Sequence, residues 1–108
     1  MSNNNHNPKG ILSAELLVTR LKNGEKLTLV DVREPIEFHT HNIGGTNIPL
    51  SRLTEGIALL GLCKDQEIIT VCKAGLRSET AQSILQEMGY TQVKNLEGGL
   101  LAILRVNK

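Results

Sequence analysis

Aromatic side chains are almost missing from this sequence of 108 residues. It has one phenylalanine (Phe38), one tyrosine (Tyr90) and no tryptophan, so it offers few flat side chains on which unpaired nucleic acid bases stack. The formal net charge is only +1, so there is no basic excess that would attract nucleic acid or an acidic membrane. Both features argue against a nucleic acid partner.

Long apolar runs are also missing. No segment approaches the ~20 apolar residues of a membrane-spanning helix, and a hydrophobic content of 40% is ordinary for a globular protein. Residues 1–10 are polar and lack the apolar stretch of a secretory signal. We therefore expect a disordered polar N-terminus at residues 1–10, a single domain at residues 11–108 and no membrane association.

Cysteines are scarce: the chain has Cys63 and Cys72. Without an export signal, two cysteines indicate a reducing, cytoplasmic location. Cys63 lacks neighbouring cations and is interpreted as an inert core or surface thiol, with a resolving cysteine as the alternative. His39 and His41 have no cysteine or acidic partner at ligand spacing, so we predict no metal site. No organic cofactor is expected.

Alternating strand and helix patterns predict the fold. Strands are predicted at residues 26–32, 67–71 and 93–96, with a brief one within residues 43–49. Helical spacing of apolar residues occurs in five segments, at residues 13–23, 35–38, 52–60, 78–88 and 100–104. This alternation predicts an α/β fold, with a central, mostly parallel sheet flanked by helices on both faces. Ligands of such sheets bind beyond the carboxyl ends of the strands.

Cys72 lies at such an end. It directly follows the apolar run at residues 68–71, which suits a central parallel strand that is covered on both faces. The chain then turns through Gly75 into a helical pattern, so backbone N–H groups are expected to point at the sulfur. Lys73 and Arg77 place two cations in the same loop. Each feature favours the thiolate, which is the nucleophilic form of cysteine.

The loop residues have alternative interpretations. Cys72 could be a buried structural cysteine, although such a residue has no use for adjacent cations. The donors of Arg77 suit an oxyanion such as thiosulfate, or a carboxylate that braces the loop. Lys73 either steers an anionic donor by its charge or is a solvated lysine. Gly75 is expected to need a positive φ or a close approach to the backbone.

Four segments together resemble the rhodanese-like domain, the family of single-domain sulfurtransferases. Their order along the chain also follows that family. They are the Cys-x-x-Gly-x-Arg-Ser loop that starts at Cys72, the early Asp-Val-Arg-Glu segment within residues 29–38, the glycine- and proline-containing residues 42–50, and Leu96-Glu97-Gly98-Gly99. The resemblance extends from about Ser13 to Leu104, nearly the whole chain.

The resemblance implies a sulfurtransferase that uses no metal. Cys72 would take a sulfane sulfur from thiosulfate or a protein persulfide, hold it as a persulfide and pass it to a thiol or cyanide. The implied active-site loop, whose N–H groups would surround the sulfur and whose last residue would close the pocket, is Lys73, Ala74, Gly75, Leu76 and Arg77. The implied supporting residues are Asp31, Arg33 and Ser78.

The residues alone favour a different interpretation of the early acidic and basic side chains. For Asp31 and Arg33 a structural salt bridge or turn cap is expected. Glu37 is interpreted in the same way.

Two other functions compete with sulfur transfer. Cysteine-dependent phosphatases and arsenate reductases also place a thiolate in a ring of amides closed by arginine. Here the spacing is Cys-x4-Arg, one residue shorter than the common phosphatase loop, and Val71 precedes the cysteine where phosphatases often have histidine. The shorter loop suits a single sulfur better than a phosphoryl group. A non-catalytic interaction module would usually lack the cysteine, and Cys72 is present.

The sequence departs from the family pattern at three places. Residues 42–45 lack the usual Gly-His opening, which is expected to alter a loop beside the site. Ile103 stands where many members have tryptophan, so the packing of the last helix is expected to differ. Lys73 replaces a common arginine, which keeps the charge but loses the two-point binding of an oxyanion.

Overall fold

Five short strands form one parallel sheet in the computed structural model, which describes residues 10–106. They are β1 (Ile11–Leu12), β2 (Leu29–Asp31), β3 (Thr46–Asn47), β4 (Ile68–Val71) and β5 (Val93–Leu96). The strand order is β1-β5-β4-β2-β3, and all four pairs are parallel. Disorder was predicted for residues 1–10, of which residues 1–9 lie outside the described residues. Gly10 accepts a hydrogen bond from the Asn95 N–H.

Four α-helices connect the strands and a fifth follows β5 within the described residues. They are α1 (Ala14–Lys22), α2 (Pro35–Thr40), α3 (Leu53–Leu60), α4 (Leu76–Glu87) and α5 (Gly99–Val106). Each predicted helix is present, although α4 begins two residues earlier than predicted and α3 follows a 3₁₀ turn at Leu50–Arg52. β1 was not predicted, because two residues carry no periodic signal. The predicted α/β class is confirmed, and none of the helices within residues 10–106 is long and apolar enough to cross a membrane.

The helices cover both faces of the sheet, which explains the continuous apolar sequence of β4. Ile68 packs in a core with residues of α3 and α4, whereas Ile69 and Val71 pack in a second core with residues of α1 and α5. Successive side chains of a strand point to opposite faces, so a strand covered on both faces needs apolar residues throughout. Ile103 is buried in the second core, where it fills the position at which packing was expected to differ.

The start of α5 is fixed to the loop that follows β4. The N–H groups of Leu100 and Leu101 donate to the carbonyl oxygens of Cys72 and Lys73, at 3.0 and 3.1 Å. These donors belong to the first turn of α5 and have no partner within their own helix. Gly99, at φ +62°, leaves no room for a side chain, because a Cβ there would lie 2.5 Å from the Lys73 carbonyl oxygen. The turn into α5 therefore holds the loop in place.

Gly99→Ala is expected to destabilise the protein far more than Gly61→Ala. The two glycines have nearly the same φ, +62° and +63°, but a Cβ at Gly61 has no heavy atom within 4 Å. Gly61→Ala should therefore cost about 1 kcal/mol of unfolding free energy from backbone strain alone. Gly99→Ala should cost at least about 3 kcal/mol, because the loop must also move. Urea unfolding measures both, and equal losses would contradict the close packing of α5 on the loop.

Three charged side chains join α1 to the sheet near the amino end of β4. Glu67 accepts hydrogen bonds from Arg20 at 2.6 and 3.0 Å and from Lys94 at 2.7 Å. The Arg20 guanidinium, followed by the Lys94 ammonium, lowers the pKa of Glu67 to about 2, against the partial burial that would raise it. Glu67 also raises the pKa of Arg20. The carboxylate therefore stabilises the folded state in its charged form.

This cluster predicts a pH-dependent loss of stability. A depressed folded-state pKa stabilises the protein above the unfolded-state value, about 4.5, and the effect is lost as the pH falls through about 2. Glu67→Gln should therefore lower the unfolding free energy at neutral pH by about 1 kcal/mol, given the partial exposure of the pair. The difference from the wild type should vanish near pH 2. Urea unfolding across this range tests it, with Glu55→Gln as the control, because Glu55 is exposed and has no ion-pair partner among residues 10–106.

Candidate active site

Cys72 is buried where the carboxyl end of β4 meets the amino end of α4. The residue is 1% exposed. Its Sγ accepts hydrogen bonds from the N–H of Gly75 at 3.1 Å and the N–H of Ser78 at 3.3 Å, and it lies 3.2 Å from the Ser78 hydroxyl oxygen. Amide donors and the positive end of a helix both favour an anion at this place. The sulfur therefore occupies a position suited to a thiolate.

The loop reaches this arrangement through Gly75. Its φ is +98°, which confirms the predicted positive value, and it immediately precedes α4. A Cβ on Gly75 would lie 3.2 Å from the backbone nitrogen of Gly98, so the turn is also close to the segment before α5. Ala74 and Leu76 are exposed on the outside of the loop. Of the predicted loop, the N–H of Gly75 donates to Sγ, and the second N–H donor, Ser78, lies one residue beyond that loop.

Two polar residues of the central strands form hydrogen bonds with Gly75 and Ser78, the residues that donate to Sγ. Asn95 Oδ1 accepts a hydrogen bond from the Ser78 hydroxyl, and Asn95 Nδ2 donates to the Gly75 carbonyl oxygen at 3.2 Å. Thr70 Oγ1 donates to the Ser78 carbonyl oxygen at 2.9 Å. Neither Asn95 nor Thr70 was predicted from the sequence as a site residue. Thr70 carried a signal, because it is a polar residue inside an otherwise apolar strand, where a buried polar group needs a partner. Asn95 did not stand out in the same way, because β5 also contains Lys94.

Arg77 makes an ion pair with Glu37 of α2. Its two terminal nitrogens donate to the two carboxylate oxygens, at 2.7 and 3.0 Å. The hydrogen bonds from Arg77 lower the pKa of Glu37 to about 2, assisted by the Glu34 N–H, and Glu37 in turn raises the pKa of Arg77. Of the two sequence interpretations of Arg77, the structure shows the brace on a carboxylate.

Asp31 and Arg33 form a buried salt bridge at the carboxyl end of β2. Arg33 Nη2 donates to Asp31 Oδ2 at 2.8 Å, and both residues are at most 5% exposed. Arg33 also donates to the carbonyl oxygens of Glu37 and His41, at 3.3 and 2.7 Å. The structural interpretation from the residues therefore agrees with the geometry. The pair fixes α2, and so holds Glu37 where it meets Arg77.

An open cleft of about 380 Å³ lies beside the loop at the same edge of the sheet. Its walls are largely apolar and come from α2 and the residues flanking it, from α5 and from the loop: Arg33, Ile36, Glu37, Thr40, His41, Lys73, Leu100, Leu101 and Leu104. Lys73 is exposed and contributes a cation to this cleft. The cleft therefore borders the loop at Lys73, the residue that follows Cys72, whereas the Cys72 side chain itself is buried and does not line it.

Cys63 lies away from this site. It is an exposed free thiol in the connection between α3 and β4. Cys63 therefore precedes the amino end of β4, whereas Cys72 follows its carboxyl end, so the length of the strand separates the two. Of the interpretations given above, the surface thiol is the one that the structure shows.

Comparison with known proteins identifies the family. Residues 13–105 match the family model of the rhodanese-like domain. A sulfurtransferase of Allochromatium vinosum is 33% identical over 95 residues, which cover 87% of each chain. The probable adenylyltransferase/sulfurtransferase MoeZ of Mycobacterium tuberculosis is 36% identical over 83 residues. Those residues are 76% of this chain but 21% of MoeZ, so the chain spans only a small part of that relative.

A solved structure gives the same result for the fold. The rhodanese-like domain of an Anabaena protein superimposes with a TM-score of 0.80 at 27% sequence identity, over 90% of this chain and 74% of that one. The relatives named as sulfurtransferases support the prediction of a transferase enzyme. The family match covers most of the sequence, and the chain therefore belongs to the rhodanese-like domain family.

Proposed function

We propose that this protein is a sulfurtransferase that carries a sulfane sulfur as a persulfide on Cys72. The observation that carries the proposal is the position of Sγ, which accepts N–H bonds from Gly75 and Ser78 at the start of α4. Such donors stabilise a thiolate, and the thiolate is the attacking form. The sulfurtransferase names of the relatives support the same activity.

The first half-reaction loads the sulfur. The Cys72 thiolate attacks the outer sulfur of thiosulfate, a new S–S bond forms at Sγ, and the original S–S bond breaks so that sulfite leaves with its electron pair. The persulfide then carries its charge on the outer sulfur, one bond beyond Sγ. We assign the backbone N–H groups of Lys73, Ala74, Leu76 and Arg77 as further donors for this outer sulfur. Successive N–H groups in a turn of this kind form a site that binds anions.

The second half-reaction unloads it. A thiolate or cyanide attacks the outer sulfur, the S–S bond to Sγ breaks, and Cys72 returns to its thiolate. The acceptor leaves as a persulfide or as thiocyanate. No metal or organic cofactor takes part in either step. Two half-reactions through one covalent intermediate predict ping-pong kinetics.

Arg77 and the cleft bear on the choice of substrate. A phosphatase needs the arginine fork for phosphoryl oxygens, whereas both terminal nitrogens of Arg77 are bound to Glu37. We therefore favour sulfur transfer and assign Arg77 to the wall that closes the pocket. The apolar walls of the cleft, with Ile36 and Leu104 well exposed, fit a protein persulfide donor as well as thiosulfate.

A reactive thiol of this kind needs a reducing compartment, so we place the protein in the cytoplasm.

Loading with thiosulfate is expected to add one sulfur atom to the wild-type chain. Intact-protein mass spectrometry measures the gain, which cyanide or dithiothreitol should reverse. Cys72→Ser should gain nothing, because it lacks the accepting sulfur, whereas the matched variant Cys63→Ser should load like the wild type.

Two results would contradict this assignment. One is a sulfur adduct that persists in Cys72→Ser. The other is a wild-type chain that gains no sulfur even from a persulfidated protein donor.

Lys73→Gln is expected to raise the KM for thiosulfate about threefold with little change in kcat, because the cation attracts the donor without taking part in bond formation. The KM of the wild type should also rise with ionic strength, and that of the variant should rise less. The exposed Lys26→Gln, in the segment before the amino end of β2, is the control and should leave the KM unchanged. A KM that Lys73→Gln does not alter would make Lys73 a solvated surface lysine.

A further inference from the structure

The side-chain amide of Asn95 contacts both walls of the Cys72 sulfur site. Its Oδ1 accepts the hydroxyl proton of Ser78, and its Nδ2 donates to the carbonyl oxygen of Gly75. Ser78 and Gly75 are also the residues whose N–H groups bind Sγ. One buried amide on β5 therefore connects the two sides of the site without touching the sulfur itself.

The chemistry of the neighbours fixes the orientation of this amide. The Gly75 carbonyl oxygen can only accept a hydrogen bond, so Nδ2 must face it and Oδ1 must face Ser78. The single hydroxyl proton of Ser78 is then given to Asn95. The 3.2 Å contact between Ser78 Oγ and Cys72 Sγ is left with the thiol as its donor. The hydroxyl side of the site thus fits the protonated sulfur, whereas the N–H groups of Gly75 and Ser78 favour the thiolate.

Ionisation of Cys72 reverses this preference. Once the thiol proton leaves, a lone pair of Ser78 Oγ faces a negative sulfur. The hydroxyl can turn to donate to that sulfur, but Asn95 Oδ1 then loses its donor at a residue that is only 8% exposed. A buried acceptor without a donor is costly. In a persulfide the charge lies on the outer sulfur, so the Ser78 proton can return to Asn95.

We propose that Asn95 is a positioning residue that acts through the Ser78 hydroxyl to favour the two uncharged forms of Sγ over the bare thiolate. These forms are the thiol and the inner sulfur of the persulfide. The persulfide part rests on the proposed function, whereas the thiol part does not. In this arrangement Asn95 keeps the unloaded thiolate poorly solvated on the Ser78 side and favours its conversion to the loaded state.

The other charged groups around Cys72 are held by partners other than Asn95 or lie exposed. They are the Asp31–Arg33 pair at the end of β2, the Glu37–Arg77 pair between α2 and α4, Lys73 in the loop, and Glu97 after β5. None of them forms a hydrogen bond with the Asn95 side chain among the bonds seen within residues 10–106. A change in the ionisation of Cys72 on substitution of Asn95 therefore reports on the Ser78 route.

Alkylation of Cys72 by iodoacetamide over a range of pH tests the inference without any sulfur donor. Every protein in the series carries Cys63→Ser, so that Cys72 is the single thiol. The alkylation midpoint is the pH at which the rate reaches half its maximum. Asn95→Ala releases the Ser78 hydroxyl to donate to the thiolate, so we expect the midpoint to fall by about one pH unit. An unchanged or raised midpoint would overturn the proposal.

Ser78→Ala shows whether the effect passes through the hydroxyl. Without that hydroxyl, Asn95 has no proton to hold, so adding Asn95→Ala to Ser78→Ala should leave the midpoint where Ser78→Ala alone puts it. If Asn95→Ala lowers the midpoint as much in the Ser78→Ala variant as it does in the protein that keeps Ser78, Asn95 acts by another route and the proposal fails.

Asn95→Asp distinguishes the loss of the acceptor for Ser78 from the loss of the hydrogen bond to Gly75. Both this variant and Asn95→Ala lose the Nδ2 donor, but the aspartate keeps an acceptor for Ser78 and adds a negative charge near the sulfur. Its midpoint should therefore rise, opposite to that of Asn95→Ala. A lowered midpoint would contradict the proposal, and this nearly isosteric variant still gives a result if Asn95→Ala does not fold.

Gln82→Ala is the control for a buried amide. Gln82 on α4 is 5% exposed and donates to the carbonyl oxygens of Gly10 and Val93. Its loss should leave the midpoint unchanged, whereas a fall equal to that of Asn95→Ala would assign the effect to general loosening. Because alkylation needs no donor, a midpoint that behaves as expected in a protein that loads no sulfur would sink the proposed function alone. Normal sulfur loading with an insensitive midpoint would sink the Asn95 inference alone.

Discussion

Cys72 is buried at the end of β4, and its sulfur can become an anion there only if hydrogen-bond donors replace the water that it has lost. The fold supplies those donors as the N–H groups of Gly75 and Ser78, at the point where the chain turns from β4 into α4. A buried central strand and a helix that starts at its end are both needed.

The rest of the site keeps the turn in one conformation. The first N–H groups of α5 bind the carbonyl oxygens of Cys72 and Lys73, and the absence of a side chain at Gly99 allows this close contact with the loop. On the other side, Arg77 is held by Glu37, which α2 presents. The buried Asp31–Arg33 pair holds α2 through its carbonyl oxygens. Ion pairs that would add little on an open surface thus serve here to position neighbouring elements.

The fold followed well from the sequence wherever a segment was periodic or continuously apolar. The strand at residues 93–96 was predicted with its observed bounds, and β4 and α4 differed at their ends by one or two residues. The two-residue strand β1 was missed, because it exists only through its pairing with β5. In the site, Ser78 entered through the family resemblance, whereas Asn95 and Thr70 were missed since their partners lie on other elements.

The sequence by itself determined the chemistry of the loop: a thiol after a buried strand, a glycine where the backbone needs a positive φ, and an arginine at a spacing too short for the common phosphatase loop. These are local features, which short-range sterics and hydrogen bonding dictate. Only the tertiary structure decided that Arg77 pairs with Glu37, 40 positions earlier, and that Asn95 takes the proton of Ser78. Such contacts depend on how the sheet and helices pack, because packing brings together residues that no local pattern connects.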